Sequence, residues 1–114
     1  MQSDARFFLH DVAVSAEAIR TFCVGRTLRD YEDDLMLRSA CERQLEIIGE
    51  AITRLRDYHP EVFDRVDNAH AIIALRNRLI HGYDSVDSEI VWDIISSKLS
   101  DLEGVARRLL SDGQ

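Results

Sequence analysis

Apolar positions along the chain fall into four stretches of helical period. Residues 4–24, DARFFLHDVAVSAEAIRTFCV, place Phe8, Val12, Ser15, Ile19 and Phe22 at alternating steps of four and three, which is one face of a helix. Ser3 or Asp4 would cap this helix and Gly25 would end it, leaving GRTLRD as a short connection. From about Asp30 to Tyr58 the pattern predicts a longer helix. Cys41, Leu45, Ile48, Ile52 and Leu55 repeat the same steps, and Ala40, Ile47 and Ala51 form a second stripe beside them. Two stripes imply two packing neighbours. Glu32, Asp33 and Asp34 fall in the first turn of this helix, where its dipole favours carboxylates.

Pro60 cannot continue that helix but can open another, so HPEVFDRV reads as a turn followed by a short helical segment. Asn68 or Asp67 then caps a third helix, AHAIIALRNRLIH, with Ile72, Leu75 and Leu79 on its apolar face and Gly82 at its end. Asp87 is placed to cap a fourth helix. It runs to about Leu110 through Ile90, Ile94, Leu102, Val105, Ala106 and Leu109. No segment sustains the alternation of a strand. Four amphipathic helices with short connections predict an all-α, antiparallel four-helix bundle with one extra short helix. Residues 1–114 read as a single domain without internal repeat or linker.

Composition narrows the class. Hydrophobic residues make up 46% and charged residues 31% of the chain, with one proline, a balance that suits a globular protein of long helices. No apolar run approaches the ~20 residues that span a bilayer, and MQSDARFF lacks the layout of a signal peptide, so the expected location is the cytoplasm and no membrane partner is expected. Cys23 and Cys41 sit in apolar helical contexts without CxxC spacing and read as small buried side chains. A net charge of −7 argues against holding nucleic acid by overall electrostatics. Any such contact requires a local basic patch.

Several polar groups have plain structural readings. His59, His70 and His81 recur every eleven residues, but Pro60 and Gly82 interrupt the periodicity and no paired ligand motif accompanies it, so neither a metal nor another cofactor is expected. Glu42, Glu46 and Glu50 share one helix face; they must either face solvent or meet cations from another element. Arg43, Arg54 and Arg56 read as surface ion-pair partners. Gly49 inside a strong helix costs roughly 1 kcal/mol relative to alanine, which points to close approach of another helix or chain.

The stretch RNRLIHGY, residues 76–83, is different. Its arginines, asparagine and histidine are not needed for packing a bundle. Asn77 and His81 are neighbours four apart on the helix, whereas Arg76 and His81 diverge by about 140° around an ideal one. The plain reading makes Asn77 and His81 carbonyl-capping groups and the arginines salt-bridge partners. The alternative is a functional site.

The pattern Arg76-x4-His81-x-Tyr83 resembles the R-x4-H-x-Y signature of the HepT-like ribonucleases of the HEPN superfamily. RSACERQLEIIGEA at 38–51 is similar to that family's preceding helix, and DSVDSEIVWDII to the start of its last one, so the resemblance spans residues 4–110. It implies a HEPN-type bundle that forms a homodimer, with Arg76 and His81 of two copies facing one cleft and cleaving RNA, tRNA or mRNA, without a metal. It further implies the toxin of a type VII toxin–antitoxin pair. The partner would be an MntA-like nucleotidyltransferase antitoxin that inactivates the toxin by transferring AMP to Tyr83.

The residues suit that chemistry. Attack of a ribose 2′-hydroxyl on the adjacent phosphate needs proton transfer, for which histidine is the natural group near neutral pH, and cationic donors around the developing charge. We therefore expect His81 as general acid/base, Arg76 as phosphate and transition-state binder, Asn77 as an orienting residue and Arg78 as a lesser substrate contact. A two-fold axis would let groups that diverge within one helix converge. Two rival readings stand beside this one: a non-catalytic helical module that dimerises and binds a nucleotidyltransferase, and a plain helical adaptor. For the dimer contact, the expected face is the polar side of the third helix with Gly49's side of the second.

Overall fold

A computed structural model describes residues 1–82 and 86–112, and these form seven helices. They are α1 (Ser3–Cys23), α2 (Leu28–Asp33), α3 (Leu35–Tyr58), α4 (Pro60–Phe63), α5 (Ala69–His81), α6 (Ser88–Ser97) and α7 (Leu99–Asp112). The all-α bundle expected from periodicity is present, and no strand occurs among the described residues. None of these helices is long and apolar enough to cross a membrane.

The centre of the bundle is α1, packed on α3 and α7, with α5 on the other side of α3. On α1 the buried residues are Ala5, Leu9, Val12, Ala13, Ser15, Ala16 and Ile19. Val12, Ser15 and Ile19 occupy the expected stripe, but Phe8 is half-buried and Phe22 exposed, and Ala5, Leu9, Ala13 and Ala16 complete the buried face instead. On α3 the expected stripe Cys41, Leu45, Ile48, Ile52 and Leu55 is buried throughout, and of the second stripe Ala51 is buried while Ala40 and Ile47 are half-buried. Burying a Leu or Ile side chain stabilises by about 1.5–3 kcal/mol, so these stripes dominate the packing energy.

Two contacts fix α1 and α3 as antiparallel. At one end the Asp4 carboxylate meets Nε2 of the buried His59 at 2.9 Å; at the other, the Sγ atoms of Cys23 and Cys41 lie 3.5 Å apart. Asp4 is therefore a partner of His59 and not the cap of α1, whose N-cap is Gln2 without a side-chain bond. His59 and His70 have structural contacts; His70 stands edge-on to Phe63. Cys41 is buried as expected, while Cys23 is half-buried.

Gly25 ends α1 in the left-handed conformation, φ +75°, as its position predicts. The helix expected to start at Asp30 is instead two helices. Thr27 and Asp30 form a reciprocal capping box that starts α2 inside the expected connection, and Asp34 leaves helical geometry so that its carboxylate accepts from the Leu37 N–H at 3.1 Å and caps α3. Arg38 donates to the carbonyls of Tyr31 and Glu32, satisfying the end of α2.

Pro60 opens α4 as predicted. Asn68 stands at the N-cap of α5 with φ +65°, and shapes the entry by its backbone, without a side-chain cap bond. Asp87 caps α6 through the Glu89 N–H at 2.8 Å. The expected continuous last helix breaks at Lys98. Ser96 and Ser97 both turn their hydroxyls back onto carbonyls four residues earlier, Trp92 and Asp93, a pattern that competes with the helix ladder and bends it. On α6, Ile90 is exposed and Val91 takes the buried position.

α7 is tied to α1 by charge. Arg20 donates through Nε and Nη2 to the two oxygens of the buried Glu103, at 3.2 and 3.1 Å, and Arg107 Nε adds a third bond at 3.0 Å. Burial works against the Glu103 charge, but the bonds from Arg20 and Arg107 outweigh it and hold the carboxyl below its ordinary value. A carboxylate so depressed stabilises the fold above its unfolded pKa, and that contribution disappears as pH falls through the folded value. Glu103→Gln should lower the melting temperature by a few degrees at pH 7, about 1 kcal/mol, with the gap to wild type closing below ~pH 4. Thermal melts across pH check this; a gap that widens on acidification refutes it.

Candidate functional site

Arg76, Asn77, Arg78 and His81 occupy the last two turns of α5, the helix that packs on α3. Their environments differ. Arg76 is half-buried and faces α3, whereas Asn77, Arg78 and His81 are exposed. Tyr83 lies outside the described residues.

The position of Arg76 depends on Gly49. A Cβ at residue 49 would overlap the Cβ and Cγ of Arg76, so the arginine stem crosses α3 directly over its backbone. The close approach inferred from Gly49 is real, and its partner is Arg76 of the same chain. Gly49's side of α3 is thereby covered without a second copy.

At the end of that stem the guanidinium is bound. Nη2 donates to Glu50 Oε2 at 2.8 Å and Nη1 to Asn77 Oδ1 at 3.0 Å; Nε is buried and has no partner among the described residues. The other oxygen of Glu50, Oε1, accepts from Arg54 Nε at 2.9 Å. Its first effect is on Arg54, whose pKa is raised chiefly by that hydrogen bond. Arg54, Glu50 and Arg76 thus form a cation–anion–cation chain with one positive charge in excess, on a protein that is acidic overall. Of the three stacked glutamates, Glu50 meets a cation from another helix, Glu46 pairs with Arg43 at 3.4 Å, and the half-buried Glu42 has its pKa raised by burial. Arg43, Arg54 and Arg56 are all in surface ion pairs. A groove of about 350 Å³ between α1 and α3, lined by residues including Phe8, Asp11, Arg43 and Arg54, opens beside Glu50.

The structure joins Arg76 to Asn77, while no hydrogen bond or ion pair joins His81 to either of them among the described residues. Arg78 makes no ion pair within the described residues. His81 is the last residue of α5, and Gly82, with φ −133°, closes the helix through its N–H to the Arg78 carbonyl at 2.8 Å. Within one chain there is a phosphate-sized cationic group held from two sides and, beyond it, a solvent-facing imidazole. Among the described residues no group of three His, Cys, Asp or Glu side chains is placed to hold a metal ion.

Glu50 is the member of this cluster that sequence reasoning did not assign to it. The signal was present in the adjacent Gly49 and Glu50, one admitting a neighbour and the other needing a cation, but nothing in the spacing identified Arg76 as both.

Comparison with known proteins adds to this geometry. The protein-family model described as "Ribonuclease HepT-like" matches residues 12–109. Putative RNase MJ0127 of Methanocaldococcus jannaschii is 32% identical over 98 residues, covering 86% of this chain and 80% of that protein. Putative RNase MJ1380 of the same organism is 34% identical over 92 residues, 81% of this chain and 84% of its own. Probable ribonuclease HepT of Thermococcus cleftensis is 29% identical over 113 residues, 96% and 98% of the two chains. No solved structure matches the chain significantly.

Gly49→Ala is expected to destabilise by about 1–3 kcal/mol through overpacking, although alanine is the better helix former by about 1 kcal/mol. Arg76→Ala removes only one of the two overlapping atoms, whereas Arg76→Gly removes both. Denaturant unfolding of the four proteins of a cycle should show Gly49→Ala turning from destabilising to stabilising in the Arg76→Gly background. An equal cost in both backgrounds would place the strain elsewhere.

Proposed function

The chain belongs to the ribonuclease HepT-like family, and from that premise we propose that it is a metal-independent endoribonuclease toxin whose site is completed by a second copy of itself. The observation that carries the reading is the half-buried Arg76 guanidinium, held by Glu50 and Asn77, with the exposed His81 at the end of the same helix. A guanidinium has five N–H donors, and the two internal bonds leave capacity for phosphate oxygens.

The proposed step uses groups from both copies. One His81 takes the proton from a ribose 2′-hydroxyl; O2′ forms a bond to phosphorus while the bond from phosphorus to O5′ breaks; the second His81, protonated, gives its proton to O5′. The products are a 2′,3′-cyclic phosphate and a 5′-hydroxyl end. Arg76 stabilises the charge on the non-bridging oxygens. Asn77 orients Arg76, and the exposed Arg78 adds a cation to the rim. Divergence of Arg76 and His81 within one helix supports the two-copy arrangement, since a two-fold axis pairs one copy's imidazole with the other's guanidinium. This excess of local positive charge is what an acidic protein needs to bind RNA at one place only.

Control of the toxin is proposed at Tyr83, by AMP transfer from a nucleotidyltransferase antitoxin in the cytoplasm. The AMP group would bring negative charge and bulk next to a phosphate-binding cleft. A second reading, favoured by the net charge of −7, is a non-catalytic partner module for that nucleotidyltransferase.

The purified protein should cleave RNA in EDTA and run as a dimer in light scattering. Arg76→Ala and His81→Ala should each reduce cleavage by about 10²–10⁴-fold with unchanged circular dichroism. Full activity in both variants removes the assignment, a strict monomer removes the shared site, and a stable nucleotidyltransferase complex without any cleavage favours the partner module.

With ATP and the nucleotidyltransferase, wild type should gain AMP by mass and lose cleavage. Tyr83→Phe should gain none and stay active; AMP found on another residue would displace Tyr83 from this role.

A further inference from the structure

We propose that Glu50 is the positioning residue of this site: its carboxylate, divided between Arg54 and Arg76, holds the Arg76 guanidinium at the angle from which its remaining donors meet a phosphate. The kinetic part of the proposal rests on the ribonuclease reading above. Its geometric part does not.

An arginine side chain is long and flexible, and a phosphate contact that must first order it is weak and poorly aimed. Here the stem is fixed where Gly49 lets it lie on the α3 backbone, and the head is fixed by Glu50 Oε2 at 2.8 Å on one nitrogen and Asn77 Oδ1 at 3.0 Å on another. Gly49 and Glu50 are consecutive, so one turn of α3 supplies both the space and the anchor. Arg54, four residues on, holds the other oxygen of Glu50 at 2.9 Å and keeps the carboxylate from swinging. Hydrogen bonding between ionised partners is short and directional, which suits an orienting contact.

Two other roles for Glu50 fit the geometry less well. As a general base it would have to leave the arginines for the substrate, since the bond that each of its oxygens makes is to a guanidinium. As a competitor that occludes the phosphate site it would need to saturate the Arg76 donors, yet it bonds a single nitrogen.

Glu50→Ala and Glu50→Gln separate these roles, because the amide oxygen of glutamine can still accept from Arg76. Positioning predicts that kcat/KM for RNA falls ~100-fold in Glu50→Ala, mainly in kcat, and that Glu50→Gln recovers to within about fivefold of wild type. Equal inactivity of both variants would make Glu50 a proton acceptor, and a faster Glu50→Ala would make it a competitor; either overturns the proposal. A second measurement is independent of cleavage. In the 15N-labelled full-length protein, the Arg76 Nε–H resonance should be slow to exchange in wild type and Glu50→Gln and exchange-broadened in Glu50→Ala. An unchanged resonance in Glu50→Ala overturns the positioning role whether or not the protein cleaves RNA, whereas the expected resonance pattern in a protein without cleavage upholds it and removes the ribonuclease reading alone.

Discussion

The site depends on the absence of one side chain. With no Cβ at Gly49, α5 lies on α3 with Arg76 crossing directly over the backbone, and the setting of the Arg76 guanidinium follows from that contact. It places a cation half inside a helix interface, a position that is unfavourable unless the charge is met by an anion. Glu50, the next residue, is that anion. The glycine costs helix propensity and the arginine costs desolvation, so neither contact is explained by packing economy.

Charge is distributed in the same sense. Two buried polar groups elsewhere are closed by charged partners: Glu103 is met by two arginines, and His59 is held by Asp4, while the buried Tyr31 hydroxyl has no partner among the described residues. Around Arg76 the charges are not closed in this way. Two arginines share one carboxylate, and the guanidinium has donors in excess of its partners. On the proposed reading this local excess of cations is where an acidic chain would meet an anion, and screening over about 8–10 Å would weaken the repulsion from more distant carboxylates.

Much of this was legible in the sequence. The α3 stripe, the end of α1 at Gly25, the α4 start at Pro60 and the Asp87 cap follow from period and capping chemistry, which are local. The misses are also physical. Asp34 was read as an acidic first-turn residue, but its carboxylate is better used capping a fresh helix, which splits the expected one; the serines at 96 and 97 bend the last helix by bonds that hydrophobic period does not register. For the candidate site, the pattern from Arg76 to Tyr83 drew attention to the last turns of α5, and Gly49 announced a close neighbour. That the neighbour is Arg76, and that Glu50 receives it, depends on how two helices cross, and a one-dimensional pattern does not hold that information.

The crossing also decides what one copy of the chain can do. Because Arg76 turns toward α3 while His81 ends α5 in solvent, the groups suited to holding phosphate and to moving protons are separated around the helix by about 140°. Twisting the last turn could narrow that angle only by giving up the Gly82 N–H bond to Arg78, which closes the helix. Moving Arg76 outward would break its bond to Glu50 and leave that carboxylate to Arg54 alone. Both routes to a one-chain site dismantle contacts that the sequence spends a glycine and a buried charge to make. On the proposed reading, a second copy's helix end brought to the first copy's guanidinium would require neither change, which is the argument for a shared site in this fold.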